Sequence, residues 1–254
     1  MLKILFCGAA GRMGRATAEL VEKDDNITIC AGVDIADDTA PSFPIYKRIN
    51  DVKETPDVII DFSNHALIPD IVSYAVKNRT PAVICTTGHS LDELAIMRDA
   101  SAKIPIFYSR NMSLGINLTI ELAKLAACAL GGDYDIEIVE AHHNQKLDAP
   151  SGTALMIADA VNKALGGKEQ YIYDRHDVRR KRGKDEIGIH SIRAGSIVGE
   201  HTIIFGGDEE ILKISHSATS RSVFASGALS AAKFIVNMPN GMYDMGDIIR
   251  KANC

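Results

Sequence analysis

The stretch Leu2-Lys3-Ile4-Leu5-Phe6-Cys7-Gly8-Ala9-Ala10-Gly11-Arg12-Met13-Gly14 decides the fold. Its first half is apolar enough for a buried strand. Its second half is a run of small residues that opens a helix through Ala16, Leu20 and Val21. A second apolar strand, Ile27 to Val33, follows and ends on Asp34. Strand, glycine turn, helix, strand and terminal acid is the arrangement that binds dinucleotides. Small residues let the backbone approach a pyrophosphate, and the helix N-terminus offsets part of its charge. Asp34 stands twenty residues beyond Gly14, where a carboxylate can accept from ribose hydroxyls. The first glycine spacing is one residue longer than in the common G-x-G-x-x-G, so the turn takes its meaning from the units around it.

Those units continue the alternation. Apolar strands are predicted over 57–62, 81–86 and 105–108, with helices over about 64–78 and 91–102 between them. Such alternation predicts a parallel sheet covered on both faces, with ligands at the C-terminal strand ends. Two of those ends carry polar turns, Cys85-Thr86-Thr87-Gly88 and Ser109-Arg110-Asn111-Met112-Ser113. The second half changes character. A long helix over 114–130 precedes an apolar-alternating strand, and after a polar tract at 170–186 come three strands without helices between them, over 188–194, 197–205 and 210–216. Gly206-Gly207-Asp208 suits a hairpin. The fold class is therefore α/β: a Rossmann-type dinucleotide-binding domain plus an α+β domain with a mixed or antiparallel sheet. A last helix spans 221–236.

The chain has 254 residues, 46% apolar and 24% charged, with a net charge of −5. That balance speaks against a nucleic-acid binder, whose affinity rests on Lys and Arg. The five cysteines, Cys7, Cys30, Cys85, Cys128 and Cys254, are odd in number and show no disulfide-like spacing, which points to a reducing cytoplasm. No apolar run approaches the roughly 18 residues of a membrane span. The run Arg179-Arg180-Lys181-Arg182-Gly183-Lys184 reads as a solvated loop.

The chemistry gathers between Glu137 and Leu155, in E-I-V-E-A-H-H-N-Q-K-L-D-A-P-S-G-T-A-L. His142, His143 and Lys146 cluster at a strand end, and Ser151 is placed to cap the helix that follows. Two imidazoles and an ammonium beside a helix N-terminus suit an anionic substrate that needs a proton delivered. In extended geometry His142 and His143 point to opposite faces, which argues against shared ligation of one metal. No metal is expected.

The residues Glu140-Ala141-His142-His143, Lys146 and Asp148-Ala149-Pro150-Ser151-Gly152-Thr153-Ala154 resemble the signature segment of the dihydrodipicolinate reductase family. Arg193-Ala194-Gly195 and Val198-Gly199-Glu200-His201-Thr202 resemble it too. The resemblance implies reduction of a cyclic dicarboxylate imine with NAD(P)H in diaminopimelate and lysine biosynthesis. It implies His142 and Lys146 as proton donors, and His143, Ser151, Gly152 and Thr153 as the carboxylate-binding group. His201 reads as a packed or hydrogen-bonded sheet histidine, and Arg221 as either a carboxylate contact or a surface charge. The cofactor would lie against Gly8, Ala9, Ala10, Gly11, Arg12, Met13 and Asp34. Its nicotinamide end would lie against Cys85, Thr86 and Thr87, and against Ser109, Arg110, Asn111 and Met112. Cys85 stands where the family carries glycine.

The same resemblance implies that residues 220–254 rejoin residues 1–111 in the dinucleotide-binding domain. Residues 112–219 would then form a substrate-binding and oligomerisation domain that builds a homotetramer. Asp34 would repel a 2′-phosphate, and Ile35 stands where many relatives carry an arginine for it. NADH is therefore expected to serve at least as well as NADPH, with Arg12 close enough to admit some NADPH. Two other readings stand beside this one: an NAD-dependent dehydrogenase of another small amino or hydroxy acid, and an NADH-sensing protein without turnover. A sensor has no need of paired proton donors.

Overall fold

A computed structural model describes residues 1–36 and 42–252. In chain order the first elements are β1 (Leu2–Cys7), α1 (Arg12–Val21), β2 (Ile27–Val33), β3 (Ile45–Tyr46), β4 (Val58–Asp61), α2 (Ile68–Asn78), β5 (Ala82–Ile84), α3 (Leu91–Ser101) and β6 (Pro105–Tyr108). Then come α4 (Leu114–Leu130), β7 (Asp135–His142), α5 (Gly152–Ala164), β8 (Gln170–Ile172), β9 (Glu186–Arg193), β10 (Gly199–Gly206) and β11 (Ile211–Ala218). The chain closes with α6 (Ser222–Ile235), β12 (Gly241–Tyr243) and α7 (Met245–Ala252). It divides into two compact units, Met1–Leu114 with Arg221–Cys254, and Gly115–Ser220.

The first unit holds a seven-stranded sheet in the order β12-β6-β5-β4-β1-β2-β3. Every pairing in it is parallel. Buried on both faces, its strands read as continuous apolar runs rather than alternating ones. Phe6, Ile60, Val83 and Phe107 meet α6 on one face. Leu5, Ile59, Ile84 and Ile106 meet α2 and α3 on the other. α3 begins with a capping box, in which Ser90 Oγ accepts from the Glu93 amide and Glu93 accepts from the Ser90 amide. Gly227 of α6 has no room for a side chain, because a Cβ there would come within 1.7 Å of the Met112 carbonyl oxygen. α6 is thereby seated on the turn after β6.

The second unit holds a five-stranded mixed sheet, β11-β10-β7-β9-β8. β10 runs antiparallel to β7 and β11, while β9 runs parallel to β7 and β8. Ile136, Ile138, Ile187, Ile189, Ile203 and Phe205 pack against α4 and α5. α4 with the short turn after it, Leu114–Asp133, is long and apolar enough by length and composition to cross a membrane. This corrects the expectation that no run approaches that limit. Its Ile116, Ala123 and Ala127 are buried in the core of the second unit, as in a core helix.

The basic run also departs from a merely solvated loop. Arg182 donates to Asp135 at 2.9 Å and to Glu137 at 3.1 Å. Arg180 pairs with the buried Glu186 at 2.6 Å. Arg175 bridges Glu137 and Glu186, at 2.8 and 2.5 Å, so the polar tract is fastened to the sheet. Cys7, Cys30, Cys85 and Cys128 are free thiols, and Cys254 lies outside the described residues.

Candidate active site

In the first unit β1 ends at Cys7, and the chain turns at Gly8 with φ +84°, a conformation that favours glycine. A Cβ at Gly8 would sit 2.7 Å from the Phe62 carbonyl oxygen, and one at Gly14 would sit 2.2 Å from that of Ala9. Gly11 is the N-cap of α1 and offers no side-chain acceptor to the helix amides. A glycine cradle and a helix start without a side-chain cap are what a pyrophosphate fits. Asp34 Oδ2 accepts from the Ala10 amide and Oδ1 from the Ala36 amide, each at 2.9 Å. One carboxylate thus pins the glycine turn to the end of β2, and each oxygen retains a further acceptor site.

A cavity of about 580 Å³ opens here, lined by Gly8, Gly11, Asp34, Ile35, Lys47 and Arg48, with Phe62, Ser63 and Asn64 on another wall. Lys47 Nζ donates to the Ile35 carbonyl at 2.8 Å, and Arg48 is held by Asp51 at 3.0 Å. These two cations follow the two-residue β3, which is too short to announce itself by periodicity. A hollow of about 650 Å³ lies by Leu2, Asp57, Pro81 and Pro105, where strands begin. Ligands of open parallel sheets bind at the other end, beyond the strands' carboxyl termini.

Arg12, at the start of α1, is exposed, and Met13 is half-buried. Cys85 and Thr86 are buried, whereas Thr87 is exposed. Burial, reinforced by the charge of Asp61, pushes the Cys85 thiol well above its ordinary value. Ser109 Oγ donates to the Asn111 carbonyl at 2.7 Å and accepts from the Asn111 amide at 3.2 Å, closing a tight turn. Arg110 is exposed on that turn. Met112 is 2% exposed and belongs to the core beneath the turn, so its side chain is a packing group.

In the second unit β7 carries Glu140 and His142 on one face, since alternate strand residues share a side. Both are buried. The His142 Nδ1 lies 2.5 Å from Glu140 Oε2. Arg193, paired with His142 in the β7–β9 register, grips both Glu140 oxygens, at 2.9 and 2.8 Å. The Ser151 amide donates to Glu140 Oε1 at 3.1 Å. Burial alone would raise the Glu140 carboxyl, but bonds from Arg193, Ser191, His142 and the Ser151 amide overcome it and hold it at about 2. An ionised carboxylate only accepts, so His142 Nδ1 carries the proton and Nε2 is the nitrogen left for proton exchange. Burial lowers the His142 pKa, opposed by Glu140 and helped by the charges of Lys146 and Arg193. A Cβ on Gly199 would come 3.1 Å from His142 Nε2, so this glycine leaves the ring its space.

Ser151 caps α5, its Oγ accepting from the Ala154 amide at 3.1 Å and pairing with His201 Nε2 at 3.1 Å. His201 stands edge-on to His142, with centroids 5.3 Å apart. Burial and the nearby His142 bring its pKa down to about 4, so it stays neutral. Lys146 lies 2.8 Å from Asp148, while His143 is half-buried just beyond the strand end. Gly152 and Thr153 are the first residues of α5. The amino-acid sequence by itself gives no role to Glu140 or Arg193. The spacing of Glu140 two residues before His142 was the available signal, whereas the reach of Arg193 depends on strand register. Among the described residues no group of three or more His, Cys, Asp or Glu side chains is placed to hold a metal ion.

Comparison with known proteins agrees across the chain. The profile described as dihydrodipicolinate reductase, N-terminus, matches residues 2–112, and the profile for the C-terminus of the same family matches residues 115–249. A 4-hydroxy-tetrahydrodipicolinate reductase of Caldanaerobacter subterraneus subsp. tengcongensis is 51% identical over 252 residues, covering 99% of both chains. One from Clostridium tetani is 45% identical over 245 residues, covering 96% of both. Among solved structures, a dipicolinate-bound dihydrodipicolinate reductase from Paenisporosarcina sp. TG-14 superposes with a TM-score of 0.80 at 23% identity, covering 96% of this chain and 97% of that one. A diaminopimelate dehydrogenase of C. glutamicum shares the fold more loosely, with a TM-score of 0.59 at 13% identity over 96% and 92% of the two chains.

Proposed function

The chain belongs to the dihydrodipicolinate reductase family, and from that premise we propose how its own residues carry the reaction. It is an NAD(P)H-dependent oxidoreductase that reduces a cyclic dicarboxylate imine in diaminopimelate and lysine biosynthesis. When bound, the reduced nicotinamide supplies a hydride. The rest is protein chemistry: hold a dianion, and quench with a proton the negative charge that hydride addition builds.

His142 is the proton donor, acting through Nε2 because Nδ1 is committed to Glu140. Glu140 fixes the tautomer and favours the imidazolium, and Arg193 keeps Glu140 ionised. Lys146 is the second donor. His143, with the Gly152 and Thr153 amides at the start of α5, forms the carboxylate-binding group, assisted by the positive end of the helix. Ser151, expected in that group, is buried and committed to Glu140, Ala154 and His201, so it caps and seats the helix instead. The single observation that carries this reading is the buried Glu140–His142 pair, braced by Arg193 at the head of α5. The glycine turn, Asp34, Thr86, Thr87 and the Ser109–Met112 turn would hold the cofactor.

NADH is used at least as well as NADPH. Asp34 disfavours a 2′-phosphate, while Lys47 and Arg48 on the same cavity, and Arg12 nearby, let NADPH serve as well. The first unit carries the cofactor, and the second binds substrate and builds a homotetramer in the cytoplasm. The test is loss of nicotinamide absorbance when freshly generated 4-hydroxy-tetrahydrodipicolinate is added. No change with either cofactor would reject catalysis and leave a nucleotide-sensing protein.

A further inference from the structure

Asp61 is the last residue of β4, at the centre of the parallel sheet, with β1 on one side and β5 on the other. It is 0% exposed, beside two buried thiols, Cys7 and Cys85. A carboxylate in such surroundings costs the fold, since desolvation penalises its charged form. An apolar residue would end the strand more cheaply, so what the acid touches matters.

It touches two turns. Oδ1 accepts from the Ser63 amide at 3.0 Å and from the Ser63 hydroxyl. Oδ2 accepts from Thr86 Oγ1 at 2.7 Å. Its own carbonyl accepts from the Cys85 amide at 2.9 Å. Ser63 belongs to the wall of the cofactor cavity, along with Phe62 and Asn64. The glycine turn rests on this same segment, because the space a Gly8 Cβ would need is filled by the Phe62 carbonyl and the Ser63 amide, at 2.7 and 3.0 Å. Thr86 opens the turn after β5. One buried carboxylate therefore joins the loops that follow β4 and β5, and the glycine turn after β1 packs on the first of them. The three side-chain acceptances are all made by the ionised form. Burial raises the Asp61 pKa, opposed by Ser63, Thr86 and the charge of His89.

We propose that Asp61 is a positioning residue for the nicotinamide cofactor: it sets the Ser63 turn, and the glycine turn leaning on it, in register with the Thr86 turn. The role rests on the cofactor reading above and is independent of the proton donors.

The test is equilibrium binding of NADH to Asp61→Asn, followed by fluorescence or calorimetry, alongside steady-state kinetics. The amide keeps the size of the side chain and places a donor where Thr86 or Ser63 needs an acceptor. NADH should bind at least about tenfold more weakly, and its KM should rise while the KM for the dicarboxylate stays within about twofold. Adding Thr86→Val to Asp61→Asn should cost less than Thr86→Val costs alone, because residues in one network do not add. A folded Asp61→Asn that binds NADH as wild type overturns the proposal, as does simple additivity in that cycle. Should Asp61→Asn fail to fold, Ser63→Ala removes one hydroxyl from the carboxylate. That variant should weaken NADH about threefold or more, and unchanged binding would overturn the proposal in that case. Loss of turnover with intact NADH binding in His142 variants would remain a separate result.

Discussion

The glycine turn of the first unit and the histidine strand of the second solve opposite problems. Around Gly8 and Gly14 the atoms proposed to meet the cofactor are backbone, and side chains are excluded by contacts of 2.7 and 2.2 Å to neighbouring carbonyls. Around His142 the atoms proposed to react are side chains, buried and held by Glu140, Arg193 and the Ser151 amide. A backbone site tolerates no added atom, but it is indifferent to chemistry beyond its reach. A side-chain site depends on charge and protonation, and so on pH. Substitutions should separate the two, with the first unit failing in binding and the second in turnover.

The largest effect should come from the second unit. General acids contribute roughly 10²- to 10⁴-fold, so His142→Gln and Lys146→Ala should each depress kcat by at least about 10²-fold. Affinity for NADH should change much less. Near-normal turnover in the double variant would remove both residues from their roles.

Next comes Gly14→Ala. A Cβ cannot coexist with the Ala9 carbonyl at 2.2 Å, so the turn or α1 must shift, at about 1–3 kcal/mol by analogy with overpacked sites. We expect NADH affinity to fall by more than about tenfold and Tm to drop by several degrees, with no new pH dependence. A variant that binds NADH normally would show that the turn has slack, and the contrast between the two regions would weaken.

Glu140→Gln should have a smaller effect, and one that depends on pH. In the wild type, kcat/KM should fall as pH rises through an ionisation below the ordinary histidine value of about 6.5, because burial lowers the His142 pKa. Removing the Glu140 anion should move that limb to still lower pH. Stability gives a second measure. Glu140 titrates at about 2 in the fold, against roughly 4.3 in an unfolded chain. The unfolded chain takes up its proton first, so this contribution is whole above about pH 5 and is lost as pH falls toward 2. It amounts to at most roughly 3 kcal/mol. Glu140→Gln should flatten the acid side of a Tm against pH curve, and an unaltered curve would show that the carboxylate is not the source.

Much of this was legible in the amino-acid order. The apolar runs of β1, β2 and β4 to β6 announce themselves, because strands buried on both faces carry little else. Ser151 before an apolar helix announces its cap. The misses share a physical cause. β3, β8 and β12 are two or three residues long and exist through pairing with neighbours, so no periodicity can reveal them. Arg193 reaches Glu140 through a parallel register fifty-three positions apart. Arg180 and Arg182 look like solvent charges until Glu137, Asp135 and Glu186 are found beneath them. Lys47 and Arg48 look like solvent charges for the same reason, and they bear on the smallest of the expected effects.

That effect is the choice between the two nicotinamide cofactors, where the backbone site does acquire charge chemistry at its rim. Asp34 is tied to the Ala10 and Ala36 amides, so on the proposed reading its carboxylate should stay in place and repel a 2′-phosphate. Lys47 reaches back to the Ile35 carbonyl, one residue past Asp34, which brings an ammonium to the same wall. Surface charges of this kind interact by only about 1 kcal/mol or less, so each should shift the preference by severalfold rather than by orders of magnitude. Lys47→Ala should therefore weaken NADPH by about three- to fivefold and leave NADH nearly unchanged, while Asp34→Ala should move the ratio toward NADPH. The effect of Lys47→Ala should fade as salt is raised toward 1 M, where the Debye length is about 3 Å. Equal weakening of both cofactors by Lys47→Ala would mean that the lysine serves the cavity's shape, and the preference would then rest on Asp34 alone.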